Sequence, residues 1–175
     1  MIDLIINPKS FRISKNKKLQ QCQIFAEIYF QIEDKFFPGK SWDDFVVIIL
    51  NWWIENILNI AGKNNEKSRC CFMDGPYFFD IESNDEYLSV CFVDDRFDNK
   101  KTVYCENILI SCFMKILQKN ANLILRLSSD FTAPVSEITE LRNNYNRISK
   151  FIKSSRFAQK EKPKKGIQKE KEGQT

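Results

Sequence analysis

The chain has 175 residues, of which 43% are hydrophobic and 29% are charged, and its formal net charge is +4. This length and composition predict one globular domain with a sizeable core, and they exclude a fibrous or wholly disordered chain. The sequence contains no histidine, which excludes hydrolases built on a histidine base and zinc sites that need imidazole.

The first predicted element is a long strand. Apolar and polar residues alternate over Cys22–Ile32, and a period of two predicts a strand with one buried face. The alternate face is only partly polar because it includes Phe25 and Tyr29. The segment Phe36–Gly39 ends in Pro-Gly and predicts a turn after the strand.

A helix is predicted next, from Trp42 to about Ile60. Ser41 and Asp44 have the spacing of a capping box, with aspartate in place of glutamate. Apolar residues, two adjacent tryptophans among them, cover most of the circumference of this segment. Such a pattern is typical of a central helix that packs against a sheet.

The middle of the chain predicts an antiparallel meander of three or four strands. Its short apolar runs are separated by turn-forming segments and a charged connection at 94–100. The predicted strands are Arg69–Met73, Tyr77–Ile81, Tyr87–Val93 and Thr102–Cys105.

Two helices are predicted to follow, over Glu106 to about Leu127 and about Val135–Phe157, because their apolar residues recur near helical spacing. Strands that are grouped together predict an α+β fold. The expected architecture is an antiparallel sheet of about four to five strands, packed against the central Trp-rich helix and the two C-terminal helices.

Charge divides the chain into three parts. Residues 156–175 hold seven basic and three acidic residues, residues 1–18 hold five and one, and the intervening body holds 15 and 19. We therefore predict a single domain over 1–157 with a mildly acidic body, with residues 1–18 as a candidate for loose order. Residues 158–175 have few apolar side chains, which predicts a disordered basic tail. A solubilising role for this tail is favoured over contact with nucleic acid.

The cysteines and the N-terminus indicate a cytoplasmic protein. The six cysteines form no C-x-x-C pair and lie in apolar runs, so reduced core residues are favoured over a disulfide or metal framework. The N-terminus lacks the pattern of a signal peptide, and the longest apolar stretch is far shorter than a membrane span. We expect no membrane association.

The sequence carries few signals of catalytic chemistry. Neither glycine-rich phosphate-binding loops nor the H-E-x-x-H pattern is present. Acidic residues cluster at two places in the sequence. One cluster is Asp74, Asp80 and Glu82, and the other is Asp94, Asp95 and Asp98. Turns commonly contain aspartate for backbone reasons, so solvated turn acids are favoured over a metal site. We expect no enzyme activity, no cofactor and no metal.

Binding of a protein partner is the remaining prediction. Acidic residues at hairpin ends, with aromatic residues near them, can form an interface that attracts a basic partner. For each aromatic taken singly, an ordinary core position is at least as good an interpretation. The candidate partner-binding residues are Trp42, Asp43, Asp74, Tyr77, Asp94, Asp95, Phe97 and Asp98.

Three segments carry a resemblance in layout to a known class of proteins. They are Phe37–Phe45 (FPGKSWDDF), Leu50–Trp53 (LNWW) and Cys71–Tyr77 (CFMDGPY). With their short α+β chain, Trp-rich helix and D-G-P turn, they resemble the bacterial immunity proteins encoded beside polymorphic toxins and contact-dependent inhibition systems. The resemblance implies non-catalytic binding to a cognate toxin that is occluded and neutralised. It supplies no functional residues to carry over.

Two other functions stay open. The basic ends could serve a nucleic-acid-associated accessory or regulatory protein, whose binding would weaken steeply with salt. An enzyme with an unrecognised carboxylate site is the third reading, and it would need a divalent metal.

Overall fold

The computed structural model describes residues 1–16, 21–129 and 136–160. The chain folds into two antiparallel sheets, of five and four strands, together with three helices. The α+β fold is therefore confirmed, although the strands divide between two sheets. The segment between the two predicted C-terminal helices, residues 128–134, and the predicted tail lie largely outside the described residues.

The first sheet is built around one long strand, β3 (Gln21–Ile32). Four shorter strands each pair with part of the length of β3. They are β1 (Ile2–Ile6), β2 (Arg12–Asn16), β4 (Lys35–Phe37) and β5 (Asp43–Asp44). The predicted strand over 22–32 is confirmed. Within residues 1–18, for which loose order was a candidate, β1 and β2 are strands, and the apolar side chains of β1 pack into the core.

The second sheet is the predicted meander. Its strands are β6 (Glu66–Cys71), β7 (Tyr77–Asn84), β8 (Tyr87–Asp94) and β9 (Lys101–Leu109), in that order across the sheet. β9 continues four residues beyond its predicted end, through a segment expected to begin a helix. Pairing of Glu106–Leu109 with β8 keeps this segment extended, so tertiary pairing overrides its local helical pattern.

The helices are α1 (Val46–Ile60), α2 (Ile110–Leu127) and α3 (Ser136–Lys160). α1 begins four residues later than predicted, and the capping box is wrong. Ser41 has a left-handed φ of 59°, and Asp44 lies in β5. Within the described ranges, no helix combines the length and apolar character that crossing a bilayer requires.

The core forms where the sheets and helices meet at Phe30. Its ring lies 5.6 Å from Trp53 of α1, 5.2 Å from Phe79 and 4.9 Å from Phe92, measured between ring centroids. These side chains and Phe72 are almost completely buried. These aromatic residues of the apolar runs are therefore packed in the core.

The prediction of reduced core cysteines is wrong for the pair that joins β8 and β9. Cys91 and Cys105 face each other across the two strands, with Cα atoms 4.2 Å apart, and form a disulfide. Cys71 is also outside the core because it is exposed, whereas Cys70 is buried. Burial raises the pKa of the Cys70 thiol, which keeps it protonated and unreactive.

Candidate partner-binding surface

A buried carboxylate organises one end of the molecule. Asp44 is 1% exposed, and its Oδ1 accepts a hydrogen bond of 2.7 Å from the backbone N–H of Phe45, at the start of α1. Its Oδ2 accepts bonds from the N–H groups of Met73 at 3.0 Å and Asp74 at 3.2 Å, and from the Trp42 indole at 3.4 Å. One side chain therefore fixes the turn between β6 and β7 to the start of α1.

The electrostatics of Asp44 combine two opposing effects. Burial raises its pKa because the charged form loses hydration, whereas the hydrogen bonds from Phe45, Asp74, Trp42 and Met73 lower it, and the net direction is upward. The sequence places Asp44 in a capping role. Its role as a buried acceptor for a distant turn could not be read from the sequence, because it depends on a residue separation of about 30.

The turn after β6 presents an aromatic pair. The rings of Trp42 and Tyr77 meet edge to face, with centroids 5.0 Å apart, and both residues are half-buried. Gly75 has a φ of +82°, and a Cβ at this position would lie 3.0 Å from the Tyr77 ring and 3.3 Å from Trp42. Glycine is required here because any side chain would meet both rings.

The connection between β8 and β9 lies against this turn. The N–H of Asp95 donates to the Pro76 carbonyl at 3.0 Å. Arg96 binds Asp94 through both Nε and Nη2, with a shortest distance of 2.7 Å, and its guanidinium lies 5.7 Å from the Tyr77 ring centroid. This ion pair lowers the pKa of Asp94, so its charge is already compensated.

The tip of this connection projects an apolar side chain into solvent. Phe97 is 95% exposed, and its backbone has left-handed dihedral angles, with φ 61° and ψ 34°. A bulky residue rarely adopts this conformation, and such residues concentrate at functional sites. Met73, on the neighbouring turn, is 42% exposed.

The structure brings together most of the predicted partner-binding residues. The resulting patch, which we call the Phe97 surface, consists of Trp42, Met73, Asp74, Tyr77, Asp95 and Phe97. Within the described part of the chain, neither Asp74 nor Asp95 takes part in an ion pair. Both carboxylates can therefore meet a basic partner.

Three predicted residues have other positions. Asp43 alternates with Asp44 along β5 and forms an ion pair with Arg12, Asp94 is bound by Arg96, and the side chain of Asp98 lies outside the described residues. Sequence reasoning also missed Met73. Its position beside the D-G-P turn is the signal that could have indicated exposure, since turn tips lie on the surface.

The other predicted acids are paired along the meander. Asp80 binds Arg69 through two hydrogen bonds, of 2.7 and 3.0 Å, and Glu82 lies 3.2 Å from the Lys67 ammonium. Among the described residues, no group of three or more cysteine, aspartate or glutamate side chains has the arrangement of a metal site. Their contacts are those of cross-strand ion pairs.

Comparison of the chain with protein-family models, curated proteins and solved structures finds no match. Inferences about function therefore depend on the geometry and charge of the Phe97 surface.

Proposed function

We propose that this chain is an immunity-type protein that binds a cognate bacterial toxin through the Phe97 surface and neutralises it by occlusion, without catalysis. The observation that carries the proposal is the position of Phe97. The Phe97 side chain is almost fully exposed on a left-handed backbone, so it packs against little of the described chain and becomes buried only when a partner covers it.

Charge indicates the chemistry of the partner. Asp74 is adjacent to the exposed Met73 in the sequence, and Asp95 is two residues from Phe97. Residues 19–155, to which they belong, carry a net charge of −4 (15 basic minus 19 acidic). Carboxylates next to exposed apolar side chains are compatible with the usual anatomy of an interface, in which a polar rim surrounds the anchoring side chains. We infer a partner with lysine or arginine side chains around an apolar depression.

Occlusion by such a surface would suit toxins that act on nucleic acids. Their substrate-binding surfaces carry positive charge, and an acidic protein competes for that charge. Cytoplasmic location and a bacterial origin belong to this proposal, as does binding without a cofactor.

Reversal of a single charge tests the electrostatic part of the proposal. We expect Asp74→Lys to weaken binding to the toxin encoded by the neighbouring gene about three- to tenfold at low salt, mainly through slower association. The difference should shrink at high salt because exposed charges are screened. Surface plasmon resonance over a range of salt concentrations measures both rates.

Glu66→Lys is the matched control. Glu66 is exposed and lies at the opposite end of β6 from the turn that contains Asp74, so it should leave both rates unchanged. Equal losses from the two variants would mean that only the overall charge matters. Failure of the wild-type chain to protect cells from that toxin would exclude the immunity function, and salt-dependent binding to DNA or RNA instead would favour the nucleic-acid accessory.

A further inference from the structure

The disulfide and the Phe97 surface share one hairpin. Cys91 and Cys105 are 14 residues apart in sequence, and the segment between them contains the whole connection from β8 to β9, with Phe97 near its middle. The disulfide therefore closes the base of the loop that presents the most exposed aromatic residue of the described chain.

Beyond the disulfide, the pairing of the hairpin is irregular. Cys91 pairs with Cys105 and Phe92 with Tyr104, after which the register shifts, so that Val103 has no partner and Val93 pairs with Thr102. A bulge interrupts the ladder of hydrogen bonds. Only two residue pairs, at Val93 and Asp94, then separate the bulge from the loop.

Other contacts give the loop little support. β9 is an edge strand of its sheet, and Phe97 contributes almost no burial because 95% of it is exposed. The described polar contacts of the connection include the Asp95 N–H to Pro76 and the placement of Arg96 near Tyr77, which reach the neighbouring turn. The Arg96–Asp94 ion pair is exposed and lies within the connection itself. Closing the base of the loop therefore reduces substantially the number of conformations available to the tip.

The bond is also accessible to small reductants. Cys91 is half-buried and Cys105 is exposed, whereas disulfides that resist reduction are usually buried. Disulfides in cytosolic proteins are commonly transient or redox-sensing, so a reducing compartment would make the state of this bond variable.

We propose that the Cys91–Cys105 disulfide is a redox-sensitive lock, which orders the tip that carries Phe97 when it is oxidised and releases it when it is reduced. A small dithiol supplies the electrons. Its thiolate attacks Sγ of Cys105 and releases the Cys91 thiolate, which takes up a proton. The second thiol of the reductant then resolves the mixed disulfide, leaving two protein thiols and one oxidised dithiol.

The consequence for binding rests on the proposed function. If the partner recognises only the ordered tip, fewer molecules can bind it after reduction. The apparent affinity then falls in proportion to the fraction of molecules whose tip remains ordered. The order of the tip can be measured on the chain alone, so this inference and the proposed function can fail independently.

Amide hydrogen exchange of the full chain, before and after treatment with dithiothreitol, tests the lock. We expect exchange in residues 93–104 to become at least about tenfold faster after reduction, with β6 and β7 almost unchanged. The double variant Cys91→Ser/Cys105→Ser should show the fast exchange with or without dithiothreitol. Because it keeps the four remaining cysteines, it controls for their reaction with the reagent.

Two results would overturn the inference. Unchanged exchange in residues 93–104 after complete reduction would show that the disulfide does not order the tip. A uniform rise over all strands would show that it stabilises the whole fold instead. Binding of the toxin in neither redox state, with faster exchange at the tip, would overturn the proposed function and leave the lock in place.

Discussion

Replacement of Phe97 by alanine is expected to reduce affinity for the toxin by about 2–4 kcal/mol, which is roughly 30- to 1000-fold in Kd. Anchoring aromatic side chains at the centre of an interface commonly lose this much on truncation, because their pocket in the partner is left empty. The loss should appear mainly as faster dissociation. Calorimetric titration of the wild type and of Phe97→Ala with the toxin measures the loss of affinity, and surface plasmon resonance measures the dissociation rate.

The stability of the free chain should not change. Phe97 is 95% exposed and its removal opens no cavity, so the free energy of unfolding should stay within about 0.5 kcal/mol of the wild-type value. Alanine, like phenylalanine, must adopt a left-handed backbone here, so that cost is similar in both variants.

Tyr87→Ala is the matched control for Phe97→Ala. Tyr87 is 52% exposed and lies at the opposite end of β8 from Asp94. Tyr87→Ala therefore removes an exposed aromatic side chain that lies away from the Phe97 surface. We expect its affinity to equal that of the wild type. A larger loss from Tyr87→Ala than from Phe97→Ala would place the interface at the other end of the meander.

The second large effect is expected at Asp44. Asp44→Ala should lower the free energy of unfolding by about 2–4 kcal/mol, since it leaves the N–H groups of Phe45, Met73 and Asp74 without their acceptor in a partly buried site. The turn that contains Asp74 would then lose its fixed position, and toxin binding would weaken as well. Urea denaturation measures the first effect and titration the second.

The adjacent residue provides the control. Asp43→Ala removes an exposed ion pair with Arg12, and such pairs contribute only about 0–1 kcal/mol. Similar losses from the two variants would contradict the role of Asp44 as a buried acceptor.

The contribution of Asp44 to stability is expected to depend on pH. Burial raises its pKa above the ordinary 3.8, so the folded state binds the proton more tightly than the unfolded state. The stability that Asp44 contributes is then fully present below pH 3.8 and declines as pH rises through the raised value. The difference in unfolding free energy between wild type and Asp44→Ala should therefore become smaller from about pH 4 to about pH 7. An increase over the same range would contradict the direction of the shift.

The alternation in residues 22–32 and the apolar runs of the meander were sufficient to predict the main strands, because side-chain period and burial are local properties of the sequence. Long-range pairing was not predictable in this way. Glu106–Leu109 has a helical pattern but pairs with β8, and the two residues of β5 pair with β3 where the helix was expected to begin.

The candidate surface was predicted in part. Aspartate and aromatic residues beside turns identified Asp74, Tyr77 and Phe97, since turns lie at the surface whatever the fold. The contribution of Asp44 and the opposition of Cys91 to Cys105 depend on which strands become neighbours and in which register. Composition and spacing carry neither piece of information.

We expect the partner to bind at the Phe97 surface. Hydrogen exchange of the full chain with and without the toxin encoded by the neighbouring gene tests it most directly. We expect slower exchange confined to residues 72–78 and 93–101, with the Asp85 hairpin and α3 unaffected. Protection that appears on α3 or at the Asp85 hairpin, and leaves both predicted segments unchanged, would contradict it.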